Sequence, residues 1–182
     1  MKLLSKELSL PILKTERLRL EPISVEHSQG MYELWSDERV TQYSGEVSDY
    51  EGNKIEMPAA TRDQSDLIID FWLKAEREGW GFRWAVILEG TRREFTGTIG
   101  FNSVSHEYEI AYHLLPKHWG KGVMSEASKA AIDWASSRGA DSIVAFVENE
   151  NKASVALALR IGLGPIDEFD GGAQKYQRML VR

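Results

Sequence analysis

Apolar and polar residues repeat with a period of two in some stretches of the chain and near 3.6 in others, and the switches between them mark out its elements. Arg17-Leu18-Arg19-Leu20-Glu21 alternates charge with leucine, which predicts a half-buried strand. Ser24 is placed to cap a helix through about Trp35, with Met31, Leu34 and Trp35 on its apolar side. Residues 41 to 60 hold Gly45, Gly52, Asn53 and Pro58 with few aliphatics, and predict a long loop of the kind that usually serves a function. Thr61 with Gln64 three residues on matches a capping box and opens a helical run from Asp63 to Glu78. Leu67, Ile68, Phe71, Trp72 and Ala75 carry its apolar spacing, and Gly79 stops it.

After Gly79 the period falls to two. Phe82, Trp84, Val86 and Leu88 alternate, then Phe95, Gly97, Ile99 and Phe101, then Tyr108, Ile110, Tyr112 and Leu114, with short turns between, which predicts an antiparallel meander. The remainder predicts a helix from about Ser125 to Ser137 with Ala127, Ala131, Trp134 and Ala135 facing inward, and a buried strand over Ser142 to Val147. A second helix over Lys152 to Ile161 ends at Gly162, and two closing strands lie near Pro165–Phe169 and Gln174–Val181. The expected fold class is α+β, a mixed and mostly antiparallel twisted sheet flanked by helices, because only the late crossover demands a parallel pair. No repeat or low-complexity tract interrupts it, so a single domain over 1–182 is expected.

With 182 residues, one core is attainable without covalent staples. The chain has no cysteine, which removes disulfides, zinc-finger frameworks, iron–sulfur clusters and thiolate nucleophiles together. A net charge of −6 argues against a binder that tracks nucleic-acid phosphates. No apolar run reaches the ~20 residues that span a bilayer, so no membrane association is expected. Lys6 and Glu7 break up the N-terminal stretch, which is too short for a signal peptide, and a cytoplasmic location is expected. His27, His106, His113 and His118 lack metal-site spacing and read as solvated or loop residues; no metal is expected. Of the six tryptophans, Trp72 and Trp134 read as helix core, while Trp35, Trp80 and Trp119 are candidates to line a cleft.

The stretch richest in chemistry is His118-Trp119-Gly120-Lys121-Gly122-Val123-Met124-Ser125-Glu126-Ala127, between a predicted strand and a predicted helix N-terminus. Two glycines allow a tight turn with N–H groups aimed outward, and the helix dipole adds about half a positive charge, so the stretch can form a nest for phosphate oxygens. A plain tight turn is the alternative. A Walker loop is excluded, because Leu115 stands where its first glycine should be and Gly122 follows Lys121 where Ser or Thr is required. Ser125 in place of a third glycine weakens a dinucleotide fingerprint.

In context the stretch resembles the pyrophosphate loop of the GNAT acetyltransferase superfamily, in its RimJ/RimL-type branch. Tyr108-Glu109-Ile110-Ala111-Tyr112 resembles the strand that precedes that loop, and Asn151-Lys152-Ala153-Ser154 with Arg160-Ile161-Gly162-Leu163 resembles the family's second signature. Thr15-Glu16-Arg17-Leu18-Arg19-Leu20 and Trp84-Ala85-Val86 complete four matches in order. The resemblance implies acetyl-CoA as donor, held through backbone N–H groups of Gly120, Lys121, Gly122, Val123, Met124 and Ser125, with Asn151 on the pantetheine arm. It also implies an oxyanion donor in the backbone near Leu114 and a general-base glutamate at Glu109, with Glu107 the fallback and a solvated or ion-paired strand residue the alternative. The tyrosine that many members use as an acid falls at Ala158, which leaves Ser154 as the candidate to protonate the thiolate, although a serine there also suits a helix cap.

Without cysteine, direct attack by a primary amine in a ternary complex is the simplest route. A protein or peptide N-terminus is the first acceptor the branch implies. Glu46, Asp49, Glu51 and Glu56 in the 41–60 loop would favour a cationic amine such as a polyamine or aminoglycoside, or else form an ordinary acidic surface. The alternative to an enzyme is a non-catalytic acyl-CoA-binding module, and a monomer or homodimer is expected in either case.

Overall fold

The computed structural model describes residues 10–181. The N-terminal stretch weighed as a leader therefore lies mostly outside the described residues. In chain order the elements are β1 (Leu13–Lys14), β2 (Leu18–Pro22), α1 (Ser28–Trp35), α2 (Glu38–Thr41), β3 (Val47–Ser48), β4 (Lys54–Ile55), α3 (Arg62–Glu78), β5 (Phe82–Leu88) and β6 (Glu94–Val104). There follow β7 (Glu107–Leu114), α4 (Val123–Ser137), β8 (Ser142–Val147), α5 (Lys152–Arg160), β9 (Gly164–Asp170) and β10 (Ala173–Met179). Eight strands form one sheet in the order β1-β2-β5-β6-β7-β8-β10-β9, and β3 with β4 makes a separate hairpin. Every neighbouring pair in the large sheet is antiparallel except β7 and β8, as the α+β reading expected.

Local signals account for most boundaries. Thr61 accepts a hydrogen bond from the Gln64 N–H while Gln64 reaches back to the Thr61 N–H, and Gly79 closes α3 at φ +80°. Ser24 does cap a turn, but that turn is a 3₁₀ segment over Val25–His27, and α1 proper begins at Ser28. The expected 41–60 loop contains the β3–β4 hairpin, whose two-residue strands are too short to show a period.

The sheet buries both faces. On one, Leu18, Leu20, Phe82, Trp84, Ile99, Phe101 and Ile110 pack against Ala127, Ala131 and Trp134 of α4 and Leu157 and Ala158 of α5. On the other, Ala85 and Ile87 pack against Met31, Leu34 and Trp35 of α1 and Ile68 and Ile69 of α3. Trp134 anchors the first layer, its ring edge-on to Phe82 and to Trp84 at 5.2 Å from each. At Gly100 a Cβ would sit 2.1 Å from the Phe82 carbonyl oxygen, so only glycine lets β5 and β6 meet there.

Two irregularities shape the region where chemistry is expected. The register of β6 against β7 shifts between Phe101 and Ser103, leaving Asn102 as an extra residue in a bulge opposite Ile110 and Glu109. Such bulges re-aim a side chain and increase local twist. At the same level the parallel pairing of β7 with β8 stops: it joins Glu107 to Ser142, Tyr108 to Ile143 and Glu109 to Val144, and goes no further among the described residues. Beyond that point β7 stays paired to β6 as far as Leu114, and β8 stays paired to β10 as far as Val147. The two strands therefore diverge, and a gap opens through the sheet. No helix among the described residues is long and apolar enough to cross a membrane.

Replacing Trp134 with alanine removes the largest side chain joining α4 to the sheet and is expected to cost about 3–5 kcal/mol. Denaturant unfolding checks this, and a loss below about 1 kcal/mol would show that α4 is held elsewhere.

Candidate active site

A cleft of about 1420 Å³ runs through the gap between β7 and β8 and opens on both faces of the sheet. Because successive side chains on a strand point to opposite faces, Tyr112 is directed to the α4–α5 side while Glu109, Ala111 and His113 are directed to the α1–α3 side. The cleft thus has two walls of different chemistry.

The α4–α5 wall holds the glycine loop. Gly120 and Gly122 have φ of +71° and +73°, the left-handed region that glycine enters without strain. Gly122 occupies the N-cap position of α4 with no side-chain cap, so the N–H groups of the first turn are left for an external acceptor. The helix begins at Val123, two residues earlier than its periodicity indicated, which brings Val123, Met124 and Ser125 into that turn. Gly120, Gly122, Val123, Met124 and Ser125 all line the cleft, and the guanidinium of Arg160 donates to Ser125 Oγ at 3.2 Å. Lys121 is exposed, and its carbonyl accepts a hydrogen bond from Arg17.

That last contact belongs to a clamp spanning more than a hundred residues of sequence. Glu126 accepts from Thr15 Oγ1 at 2.6 Å, from the Arg17 N–H at 2.9 Å and from Arg17 Nε at 2.7 Å, while Arg17 Nη1 reaches the Lys121 carbonyl at 2.9 Å. Burial raises the Glu126 carboxyl, but the bonds from Thr15 and Arg17 outweigh it and hold the group below the usual carboxylate range. The N-terminal segment thereby fixes the glycine loop.

Across the gap, Asn151 caps α5 by accepting from the Ser154 N–H at 3.2 Å, and both residues line the cleft. The Tyr112 hydroxyl sits 3.5 Å from the Ser154 carbonyl oxygen, and burial pushes its phenol up, so it stays protonated at neutral pH. Ala158, where an acid tyrosine was absent, is buried. The phenol beside Ser154 comes from the strand instead, which reading along the helix could not reveal. Leu114 lines the cleft, and its carbonyl accepts from the Trp119 indole N–H at 2.8 Å.

The α1–α3 wall holds Glu109. Asn102 Nδ2 donates to Glu109 Oε1 at 2.7 Å, and Asn102 Oδ1 accepts a short hydrogen bond from the Arg83 guanidinium. Arg83 is buried, its guanidinium carbon 3.6 Å from the centre of the Trp72 ring, and it also donates to the Phe82 carbonyl at 2.9 Å. Burial pushes Arg83 down to about 9, opposed by the Glu109 charge, so it remains a cation at neutral pH. Glu107 is occupied elsewhere, accepting from Lys175 at 3.0 Å and Gln177 at 2.7 Å.

Two expectations are corrected here. His118 is buried rather than solvated, and His113, though part of its surface meets the cleft, has a buried Nδ1 without a partner among the described residues and packs on Trp35 at 4.6 Å. Trp72, read as core alone, packs against the α1–α3 core and also lines the cleft with Trp35, Trp80 and Trp119. Among the described residues, no group of three or more His, Cys, Asp or Glu could hold a metal ion.

The family model of the acetyltransferase (GNAT) domain matches residues 17–164. The chain belongs to the GNAT acetyltransferase family. Over 156 residues it is 30% identical to the uncharacterized N-acetyltransferase YoaA of Bacillus subtilis (strain 168), covering 84% of this chain and 82% of that protein. The crystal structure of an acetyltransferase from Agrobacterium tumefaciens str. C58 is similar at 25% identity with a TM-score of 0.74, covering 94% of this chain and 96% of that one. RimL, a ribosomal L7/L12 alpha-N-protein acetyltransferase solved with coenzyme A, shares the fold at 18% identity and a TM-score of 0.74, covering 93% and 97%. This GNAT chain is therefore an acetyl-CoA-dependent N-acetyltransferase by family.

Burial, and after it the charge of Arg83, drives His113 down to about 3, below the ordinary histidine value of 6.5. The unfolded chain then binds a proton that the folded chain refuses, so His113's contribution is full above pH 6.5 and is lost as the pH falls towards 3. Urea unfolding from pH 7 to 4.5 is expected to show this decline, and His113→Gln to flatten it. An identical pH dependence in both proteins would contradict the assignment.

Proposed function

We propose that the chain acts as one domain, in the cytoplasm, and transfers acetyl from acetyl-CoA to a primary amine by direct attack, with Glu109 as general base. The observation that carries the proposal is the location of Glu109 on the α3 side of the parted strands, opposite the phosphate nest. An amine and a thioester entering from the two walls would meet beside it.

The residues on the α4–α5 wall suit coenzyme A. Free amides at the α4 N-terminus, helped by the helix dipole and Arg160, complement a pyrophosphate. Edge N–H and C=O groups of β7 and β8 beyond Glu109 and Val144 complement the amides of a pantetheine arm, as an added strand would. Met124 contributes through its main chain and buries its side chain in the core. Asn151 keeps its amide beside the arm while its oxygen caps α5.

Acetyl-CoA supplies the acetyl group and a thiolate leaving group. An alkyl ammonium loses its proton with a pKa of about 10, so the chain has to take one up as the N–C bond forms. Glu109 accepts it, held in orientation by the Asn102 amide, which Arg83 holds in turn. A backbone N–H near Leu114 stabilises the charge that develops on the acyl oxygen. As the C–S bond breaks, Ser154 Oγ–H gives the thiolate a proton and regains one from solvent, to which Glu109 returns the proton it took from the amine. The Tyr112 phenol, 3.5 Å from the Ser154 carbonyl oxygen, is a second candidate donor. The acceptor is a primary amine, whether a protein N-terminus or a small molecule.

Glu109→Gln keeps the shape and the Asn102 contact but cannot accept a proton. It is expected to lower kcat roughly 10²- to 10⁴-fold with KM for acetyl-CoA unchanged, followed by thiol release. Undiminished turnover from pH 6 to 9 would remove Glu109 from the reaction.

A further inference from the structure

The acceptor wall differs from what the acidic 41–60 loop suggested. Three of its four carboxylates are occupied locally: Asp49 accepts from the Asn53 N–H at 2.8 Å and its side-chain amide at 2.9 Å, Glu51 pairs with Lys74 at 3.2 Å, and Glu56 pairs with Lys54 at 3.2 Å. Only Glu46 of the four lines the cleft. On this wall Glu46 and Glu109 line the cleft with the buried Arg83 and with Arg39, which is already paired to Asp37 at 2.6 Å. A single ammonium is accommodated at Glu109, and a polycation finds Glu46 as its one further carboxylate from the 41–60 loop.

What the wall offers instead is aromatic surface. Phe71, Trp72 and Trp80 all line the cleft. Phe71 is edge-on to Trp72 at 4.9 Å and to Trp80 at 5.7 Å. Arg83 covers a face of Trp72 and Tyr50 stands edge-on to Phe71 at 5.9 Å, so Trp80 keeps the most exposed ring of the three. Trp80 is 38% exposed, and its indole N–H is fixed by Glu78 Oε2 at 3.0 Å, which orients the ring without help from a ligand. Its level in the sheet is set as well: the Trp80 carbonyl accepts from Val104, Val104 pairs with Tyr108, and Ser103 pairs with Glu109. The Trp80 backbone therefore stands across one intervening strand, β6, from that of Glu109.

We propose that Phe71 and Trp80 form an acceptor subsite for an aromatic or bulky apolar group carried within a few bonds of the primary amine. The proposal rests on the reading of Glu109 as the base and names the class of acceptor that this site selects. Apolar burial and edge-to-face ring contacts supply the selectivity, and a wall of rings offers a polyamine or an aminoglycoside little to bind. The chemistry is the same whether the ring belongs to a free arylalkylamine or to the first residue of a peptide.

The test is kcat/KM with saturating acetyl-CoA for phenethylamine, ethylamine, spermidine, tobramycin, and two peptides that differ only in an N-terminal Phe or Ser. Phenethylamine is expected to exceed ethylamine roughly 10- to 100-fold, and the Phe peptide to exceed the Ser peptide similarly. The stronger of the two ring-bearing acceptors identifies the source of the ring. Trp80→Ala and Phe71→Ala are expected to lower the phenethylamine-to-ethylamine ratio at least tenfold through KM for the amine, without altering KM for acetyl-CoA. Trp80→Phe, which keeps a ring, restores most of the ratio and guards against a folding defect. Turnover without a ring preference, or with spermidine or tobramycin preferred, would overturn the subsite alone. No turnover with any amine while coenzyme A still binds would overturn both the subsite and the catalytic reading.

Discussion

The parallel pairing of β7 with β8 ends after three residue pairs, and the rest of the molecule is arranged around that break. Two strands that stayed paired would close the sheet and separate its two helical layers completely. Because β7 follows β6 and β8 follows β10, the edges that part leave backbone groups unbonded to one another and open a passage between the layers. The bulge at Asn102 falls at the same level, where added twist helps turn β7 away. It also turns the Asn102 amide toward Glu109, so one backbone irregularity both opens the passage and orients the carboxylate beside it.

The two layers then hold different chemistry. The α4–α5 side offers backbone donors, with a helix N-terminus, two left-handed glycines and a clamp from Thr15 and Arg17 that keeps the loop in place. The α1–α3 side offers side chains, with a carboxylate backed by a buried cation and a wall of rings. Backbone donors suit a ligand whose recognised parts are phosphates and amides. Side chains are free to vary with the acceptor without disturbing the strands beneath. A buried Arg83 is costly unless its hydrogen bonds are met, and its contacts to Phe82, Asn102 and the Trp72 ring meet them while directing its charge toward Glu109.

Much of the fold was legible because local chemistry carried it. The capping box at Thr61 and Gln64, the stop at Gly79 and the period-two runs from Phe82 to Leu114 correspond to elements within a residue or two. The glycine loop and the alternation that separates Glu109 from Tyr112 were legible for the same reason. What escaped depends on contacts between distant residues. Arg83 shares its strand face with Ala85 and Ile87, and its burial against Trp72 and Asn102 depends on contacts that the strand's own pattern does not show. Arg17 and Glu126 lie 109 residues apart and share no pattern. Composition counts the loop carboxylates without showing that Asp49, Glu51 and Glu56 have local partners. His113 was misplaced, and the cleft-facing side of Trp72 missed, because a strand or helix face shows its period but not what packs against it.

On the proposed reading, the parted strands and the α4 N-terminus hold the coenzyme. Amide hydrogen exchange on the full chain, with and without coenzyme A, tests it most directly. Slowed exchange is expected at residues 120–125 and along 110–114 and 145–147, with the β1–β2 edge unchanged. Protection confined to other segments, or none at saturating coenzyme A, would contradict it.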